Sequence, residues 1–167
     1  MITQEELKER LYYNPDTGIF TWLNNKRSTL IGCIAGCISN GYIVIKINYH
    51  LYRAHRLAFL YMTGSIPKFI DHEDTNKSNN KWNNIREATK AQNNSNVYLR
   101  KDNTSGYKGV SLNKHVKSES WLAQIFVNNE QIYVGSFKTP EEAAHAYDEA
   151  AIEYHKEFAN LNFKTNE

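Results

Sequence analysis

The stretch "TPEEAAHAYDEAAIEYHKEF", Thr139 to Phe158, admits few folds. Thr139 stands where an N-cap belongs, Pro140 occupies the first helical position and Glu142 completes a capping box, so the helix start is fixed by local chemistry. Ala143, Ala146, Tyr147, Ala150, Ala151 and Tyr154 recur at helical spacing as one stripe. A stripe so small and flat suits the face of a sheet. Upstream, "GYKGVSL", "SWLAQIFVNN" and "EQIYVGSF" supply three short strands, the last two joined through Asn128-Asn129. On the second of them Trp121, Ala123, Ile125 and Val127 share one side, and Leu122, Gln124 and Phe126 the other. The first side is core; the second, continued by Gln131 and Tyr133, is a mixed polar and aromatic surface. From Val97 to Lys138 there are six Lys/Arg against three Asp/Glu, and from Thr139 to Glu167 two against seven. A polyanion would therefore meet the sheet and not the helix.

The 167 residues suffice for one ordinary domain or two small ones. With 41% hydrophobic and 23% charged residues the composition is that of a folded protein, and a net charge of +2 is too small to indicate nucleic acid by itself. No apolar run approaches 18 residues and "MITQEELKER" lacks the layout of a signal peptide, so a cytoplasmic protein without a membrane partner is expected. Cys33 and Cys37 lack the further pair that a structural zinc requires and are read as reduced thiols packed beside small apolar residues. In the first half, Thr3 to Glu6 form a capping box ahead of Leu7 and Leu11, which starts a short helix. A turn at Asn14 to Gly18 feeds a strand through Ile19, Phe20 and Trp22. A second strand carries Ile43, Ile45 and Ile47, with a reversal near Asn48 to His50, and "HRLAFLYMTG" is a helix closed by Gly64. The turn-rich, apolar-poor segment at 97–105 reads as a linker between units at 1–96 and 106–164.

The chemistry concentrates in "IDHEDTNKSNNKWNNIREATKAQNN", Ile70 to Asn94. Metal-assisted phosphodiester cleavage needs hard oxygen ligands, a base for water and open coordination positions. Asp71 supplies a carboxylate, His72 an imidazole that is neutral near pH 7, and the asparagines supply amide oxygens. Adjacent residues on an extended segment point to opposite sides, so Asp71 and His72 divide the work between metal and water.

These residues, with "YRAHRLAFLYMTG" before them, resemble the HNH nuclease family, especially the phage and intron-encoded homing type with a ββα-metal fold. That family has an Asp-His pair, a loop, an Asn, and a helix with a final Asn, matched here by Asp71-His72, Asn84 and Asn93. The resemblance implies His72 as general base, Asp71 and Asn93 as metal ligands, and Asn84 as the brace of the loop that orients His72. Arg86, taken as lying just inside the helix, is a candidate for a phosphate or for transition-state charge. The implied cofactor is Mg²⁺ or another hard divalent cation such as Mn²⁺. Thr75 stands where many relatives have Gly, and since Thr disfavours positive φ the loop is expected to differ slightly. Asn76, Asn79, Asn80 and Asn83 are read as turn and cap residues. His55 is read as a partly buried structural or phosphate-side residue; His50, His115, His145 and His155 receive no chemistry.

"GYKGVSL", "WLAQI", "YVGSF", "TPEEAAHAYDEAA" and "ANLNF" resemble the plant ethylene-response-factor (Apetala-type) DNA-binding domain, in which a three-stranded antiparallel sheet enters the major groove. The resemblance makes Lys108, Ser111, Asn113, Gln124, Phe126, Gln131 and Tyr133 DNA-facing, with Lys114 and Lys117 as phosphate contacts. Gln124 and Gln131 suit adenine and Phe126 a thymine methyl. The expected fold is α+β: a ββα-metal HNH nuclease domain followed by a small three-stranded antiparallel sheet packed on one helix. The expected function is a metal-dependent endonuclease that nicks double-stranded DNA as a monomer, with a dimer as the route to a double-strand break. Its rivals are a non-catalytic DNA-binding regulator on an HNH-derived scaffold and, more distantly, an RNA-directed nuclease.

Overall fold

The computed structural model describes residues 2–25, 28–96, 99, 102–114, 120–128 and 130–163. The chain divides into two compact units, Met1–Thr89 and Lys90–Glu167.

The first unit opens with α1 (Gln4–Arg10), where Thr3 Oγ1 accepts from the Glu6 N–H and the Glu6 carboxylate accepts from the Thr3 N–H. The chain leaves α1 directly into β1 (Leu11–Asn14), which pairs antiparallel with β2 (Ile19–Trp22). β1 is absent from the sequence-based expectation because no breaker separates it from the helix and its four residues are too few to show alternation. Asn14 Oδ1 accepts from the Asp16 and Thr17 N–H groups to build the turn between the strands. Gly18 ends that turn at φ +73°, and a Cβ there would lie 2.3 Å from the Asn80 carbonyl carbon.

A three-stranded antiparallel sheet follows, ordered β3 (Cys37–Ser39), β4 (Tyr42–Ile47), β5 (His50–Arg53). Asn48 and Tyr49 both take positive φ at the β4–β5 reversal, matching the twist of paired strands. Cys33 and Cys37 are free thiols, but exposed and not packed as expected. Cys37 lies on the edge strand β3, all of whose residues face solvent. α2 (Ala54–Thr63) buries Ala54, Leu57 and Ala58 completely and ends at Gly64 in the left-handed conformation. β6 (Phe69–His72) and β7 (Ile85–Ala88) close the unit as a hairpin around a long loop. Leu7, Leu11, Tyr13, Phe20, Ile45 and Leu57 anchor one core, each buried side chain contributing about 1.5–3 kcal/mol.

The second unit contains α3 (Lys90–Ser95), β8 (Val110–Leu112), β9 (Trp121–Val127), β10 (Glu130–Phe137) and α4 (Pro140–His155). The sheet is antiparallel in the order β10-β9-β8, and α4 packs on the side that carries Val110, Ala123 and Ile125. The α4 capping box at Thr139 and Glu142 forms as the sequence indicates. Its buried stripe is rotated from the expected one: Ala144 and Asp148 are inside, and Tyr154 is outside. Asp148 can be buried because its carboxylate accepts from the Asn162 and Phe163 N–H groups and from Asn162 Nδ2. The Asn162 amide then clasps the backbone of Lys108 at both N–H and carbonyl. Among the described residues no helix is long and apolar enough to cross a membrane.

Candidate functional site

In the first unit the hairpin register sets Asp71 directly opposite Arg86, and His72 opposite Ile85. The pleat sends the two side chains to different sides, and both are buried, at 3% and 6% exposure. Arg86 Nε donates to Asp71 Oδ2 at 3.1 Å and Nη2 lies 3.0 Å from the same oxygen, so the guanidinium pins that side of the carboxylate. Arg86 therefore lies on β7, not inside a helix as expected; the cross-strand pairing carries the strand through Ala88 and the helix starts only at Lys90.

His72 faces Asn80, with Nε2 3.3 Å from Asn80 Oδ1. Asn80 Nδ2 donates to the Ser78 carbonyl, so the amide oxygen is the atom turned to the ring. An acceptor there requires the proton on Nε2 and leaves the basic lone pair on Nδ1. Burial lowers the His72 pKa, opposed by the Asn80 hydrogen bond and by Asp74 and Asp71. The ring is neutral at pH 7 and able to take a proton. Asn80 is itself buried, and its carbonyl accepts from the Tyr13 hydroxyl at 2.7 Å, so the β1–β2 hairpin holds the residue that holds His72.

The intervening loop is braced by its own amides. Asn84 Oδ1 accepts from the Asp74 N–H, and Asn84 Nδ2 donates to Asp74 Oδ1 and to the Asn79 carbonyl. Burial works to raise the Asp74 pKa, but hydrogen bonds from Asn79, Asn84 and the Asn76 N–H, with His72 nearby, hold it below the usual value. Thr75 takes the left-handed conformation at φ +62°, so the turn is kept and the β-branched residue carries the strain. Asn76 and Asn79 serve the turn as expected, whereas Asn80 does more. His55 packs its ring 5.0 Å from that of His72 and 5.4 Å from that of Tyr42. Burial, then His72, Arg53 and Arg56, push its pKa down to about 3, and its Nδ1 has no hydrogen-bond partner among the described residues.

Asn93 lies half-buried on α3, in the second unit. Among the described residues no cluster of three or more His, Cys, Asp or Glu is placed to hold a metal. The Asp71 carboxylate is a hard oxygen donor of the kind that Mg²⁺ accepts, since that ion keeps waters and substrate phosphate as its other ligands. Its donor chemistry suits such an ion and not a thiolate-bound one.

In the second unit, cross-strand partners share a side of the sheet: Gln124 pairs with Tyr133, Phe126 with Gln131 and Ser111 with Leu122. All lie opposite α4, and Asn113 follows by alternation. Phe126 and Tyr133 are 63% and 59% exposed, and Gln131 Nε2 donates to Gln124 Oε1 at 2.7 Å. Lys114 is exposed just beyond β8, and Lys117 lies outside the described residues. Lys108 does not share this surface. Its ammonium donates to the Ser95 carbonyl, and burial lowers its pKa to about 8 against the opposing pull of Asp148.

Residues 52–95 match the HNH endonuclease family, and residues 105–157 match the AP2 domain. The chain carries an HNH endonuclease domain followed by an AP2 domain. An uncharacterized HNH endonuclease of Acanthamoeba polyphaga mimivirus is 34% identical over 111 residues, which are 65% of this chain and 56% of that protein. An AP2-like ethylene-responsive transcription factor of Arabidopsis thaliana is 42% identical over 64 residues, 37% of this chain and 11% of the plant protein. A second ethylene-responsive transcription factor from that plant is 44% identical over 61 residues, 35% of this chain and 14% of its own length. The chain thus spans little more than half of the viral relative and a small part of the plant ones.

Within the HNH domain, Asp74 and Asn80 have no distinctive sequence signal. Seven asparagines fall between Asn76 and Asn94, and only the folded loop tells which one turns toward His72. In the AP2 domain the outward set is legible because alternation holds along β9 and along β10 as far as Tyr133, where the register shifts, while Lys108 precedes β8 and escapes that rule.

Proposed function

We propose that the protein is a metal-dependent DNA endonuclease of the HNH homing type, which hydrolyses one phosphodiester bond in duplex DNA and is positioned by its AP2 sheet in the major groove. The observation that carries the proposal is the buried His72, with Nε2 3.3 Å from Asn80 Oδ1, next in the chain to the buried Asp71 that Arg86 holds. His72 Nδ1 takes a proton from water, and the resulting hydroxide attacks phosphorus in line with the leaving 3′ oxygen. A divalent ion, Mg²⁺ or Mn²⁺, held by Asp71 would supply charge neutralisation at that oxygen. Asn84, clamping Asp74 and Asn79, keeps the loop closed behind His72. Arg86 orients Asp71. On the AP2 sheet Gln124 and Gln131 face adenine edges and Phe126 a thymine methyl, with Lys114 on the phosphates. The chain acts as a monomer and nicks; a double-strand break takes two chains or two encounters.

The test is incubation of the purified protein with phage and bacterial genomic DNA in Mg²⁺ or EDTA, followed by sequencing of the ends formed. Recurrent Mg²⁺-dependent ends support the proposal. Binding without ends in Mg²⁺ or Mn²⁺ favours the regulator on an HNH-derived scaffold, and ends confined to RNA favour an RNA-directed nuclease.

A further inference from the structure

Tyr42, at the start of β4, lies outside the HNH match, and the chemistry above makes no use of it. Its ring lies 5.4 Å from that of His55 and 6.3 Å from that of His72, on the imidazole side of the site. Two cations converge on the same ring: the Arg53 guanidinium at 4.3 Å from its centroid, and the Lys77 ammonium at 5.2 Å. They come from different elements, Arg53 from the end of β5 and Lys77 from the loop after β6, and both are exposed. Among the described residues neither is in an ion pair. The nearby Asp71 and Glu73 are instead engaged by Arg86, and Asp74 by Asn79 and Asn84.

Holding two like charges within about one Debye length of each other is unfavourable, and cation–π contacts at exposed positions return only about 0.5–1 kcal/mol each. An anion between them removes the repulsion. The buried imidazole of His55, with an unpaired nitrogen, adds a polar wall at the same place. We propose that Arg53 and Lys77, aligned by the Tyr42 ring, form the seat for a backbone phosphate of duplex DNA next to His72. The proposal rests on the nuclease reading for its choice of DNA. The seat delivers the sugar-phosphate chain to His72, whose ring lies 6.3 Å from that of Tyr42. Arg53 and Lys77 are binding and positioning residues, and the fork of Arg53 gives the seat its orientation.

The experiment uses the full chain carrying His72→Ala, so that DNA is bound but not cut. Affinity for a short duplex of arbitrary sequence is measured across a salt series, alone and with Arg53→Gln and Lys77→Gln added together. Thermal unfolding of each variant is recorded in parallel. The expected result is a slope of log affinity against log salt that falls by about one, as for the loss of one phosphate contact, with restoration by the charge-preserving pair Arg53→Lys and Lys77→Arg. If Arg53→Gln disturbs folding, Lys77→Gln alone, at an exposed loop position, should lower the slope by part of that amount. An unchanged slope in a folded variant overturns the proposal, as does a loss confined to an RNA duplex of the same length. A lowered slope for DNA beside a wild-type chain that never cuts would uphold the seat and remove the nuclease reading. An unchanged slope beside active wild-type protein would remove the seat alone.

Discussion

Asn80 is where fold and chemistry meet, and Asn80→Ala is the most informative single change. Its side chain accepts from His72 Nε2 and donates to the Ser78 carbonyl, at a position 2% exposed to solvent. Truncation leaves the His72 Nε2–H buried without that acceptor, which costs about 1–3 kcal/mol. In a unit of this size that is roughly 4–24 °C of melting temperature. The orienting hydrogen bond is worth about 0.5–1.5 kcal/mol, or up to roughly tenfold in rate, and a misplaced base can cost about a hundredfold. Single-turnover nicking of supercoiled plasmid at saturating protein should therefore slow by about 10- to 100-fold, with DNA affinity unchanged. Asn80→Asp, which keeps an acceptor toward Nε2, should recover much of the loss. A folded Asn80→Ala protein that nicks within about twofold of wild type would refute the reasoning, because His72 would then not depend on this contact.

Three further outcomes are expected. Gly109 sits at φ +73° where a Cβ would lie 2.0 Å from Tyr147 Cδ2, so Gly109→Ala should destabilise the second unit by about 3 kcal/mol or more, read by chemical denaturation. Thr75→Gly should stabilise the first unit by about 1 kcal/mol by releasing a β-branched residue from positive φ. His55 has a folded-state pKa of about 3 against an ordinary value of 6.5, so between those values the unfolded chain binds more protons. Its contribution to stability is complete above pH 6.5 and is lost as pH falls toward 3. His55→Gln should flatten that part of the stability profile, as followed by urea unfolding at stepped pH.

The sequence makes the α1 and α4 starts legible because capping boxes and an N1 proline act within a single turn. The sheet face of the second unit is legible for a similar reason, since alternation along β9 and β10 is a local rule. β1 is hidden because it is short and runs straight out of a helix, and β7 because Ile85 to Ala88 become a strand only by pairing with β6. The same dependence on pairing explains Arg86, which meets Asp71 across the hairpin. Asn80 and Tyr42 belong to the His72 surroundings through contacts between residues far apart in sequence, which no periodicity records. The exposure of Cys37 follows from an edge strand, a feature of topology and not of composition.

The central claim is that His72 is the base of a DNA-cutting site. It is tested most directly by comparing wild-type protein with His72→Ala in two assays on the same duplex, binding without divalent metal and cleavage with Mg²⁺. The expected result is nearly equal binding, with cleavage in the variant lower by orders of magnitude. Equal cleavage by both proteins would contradict the claim.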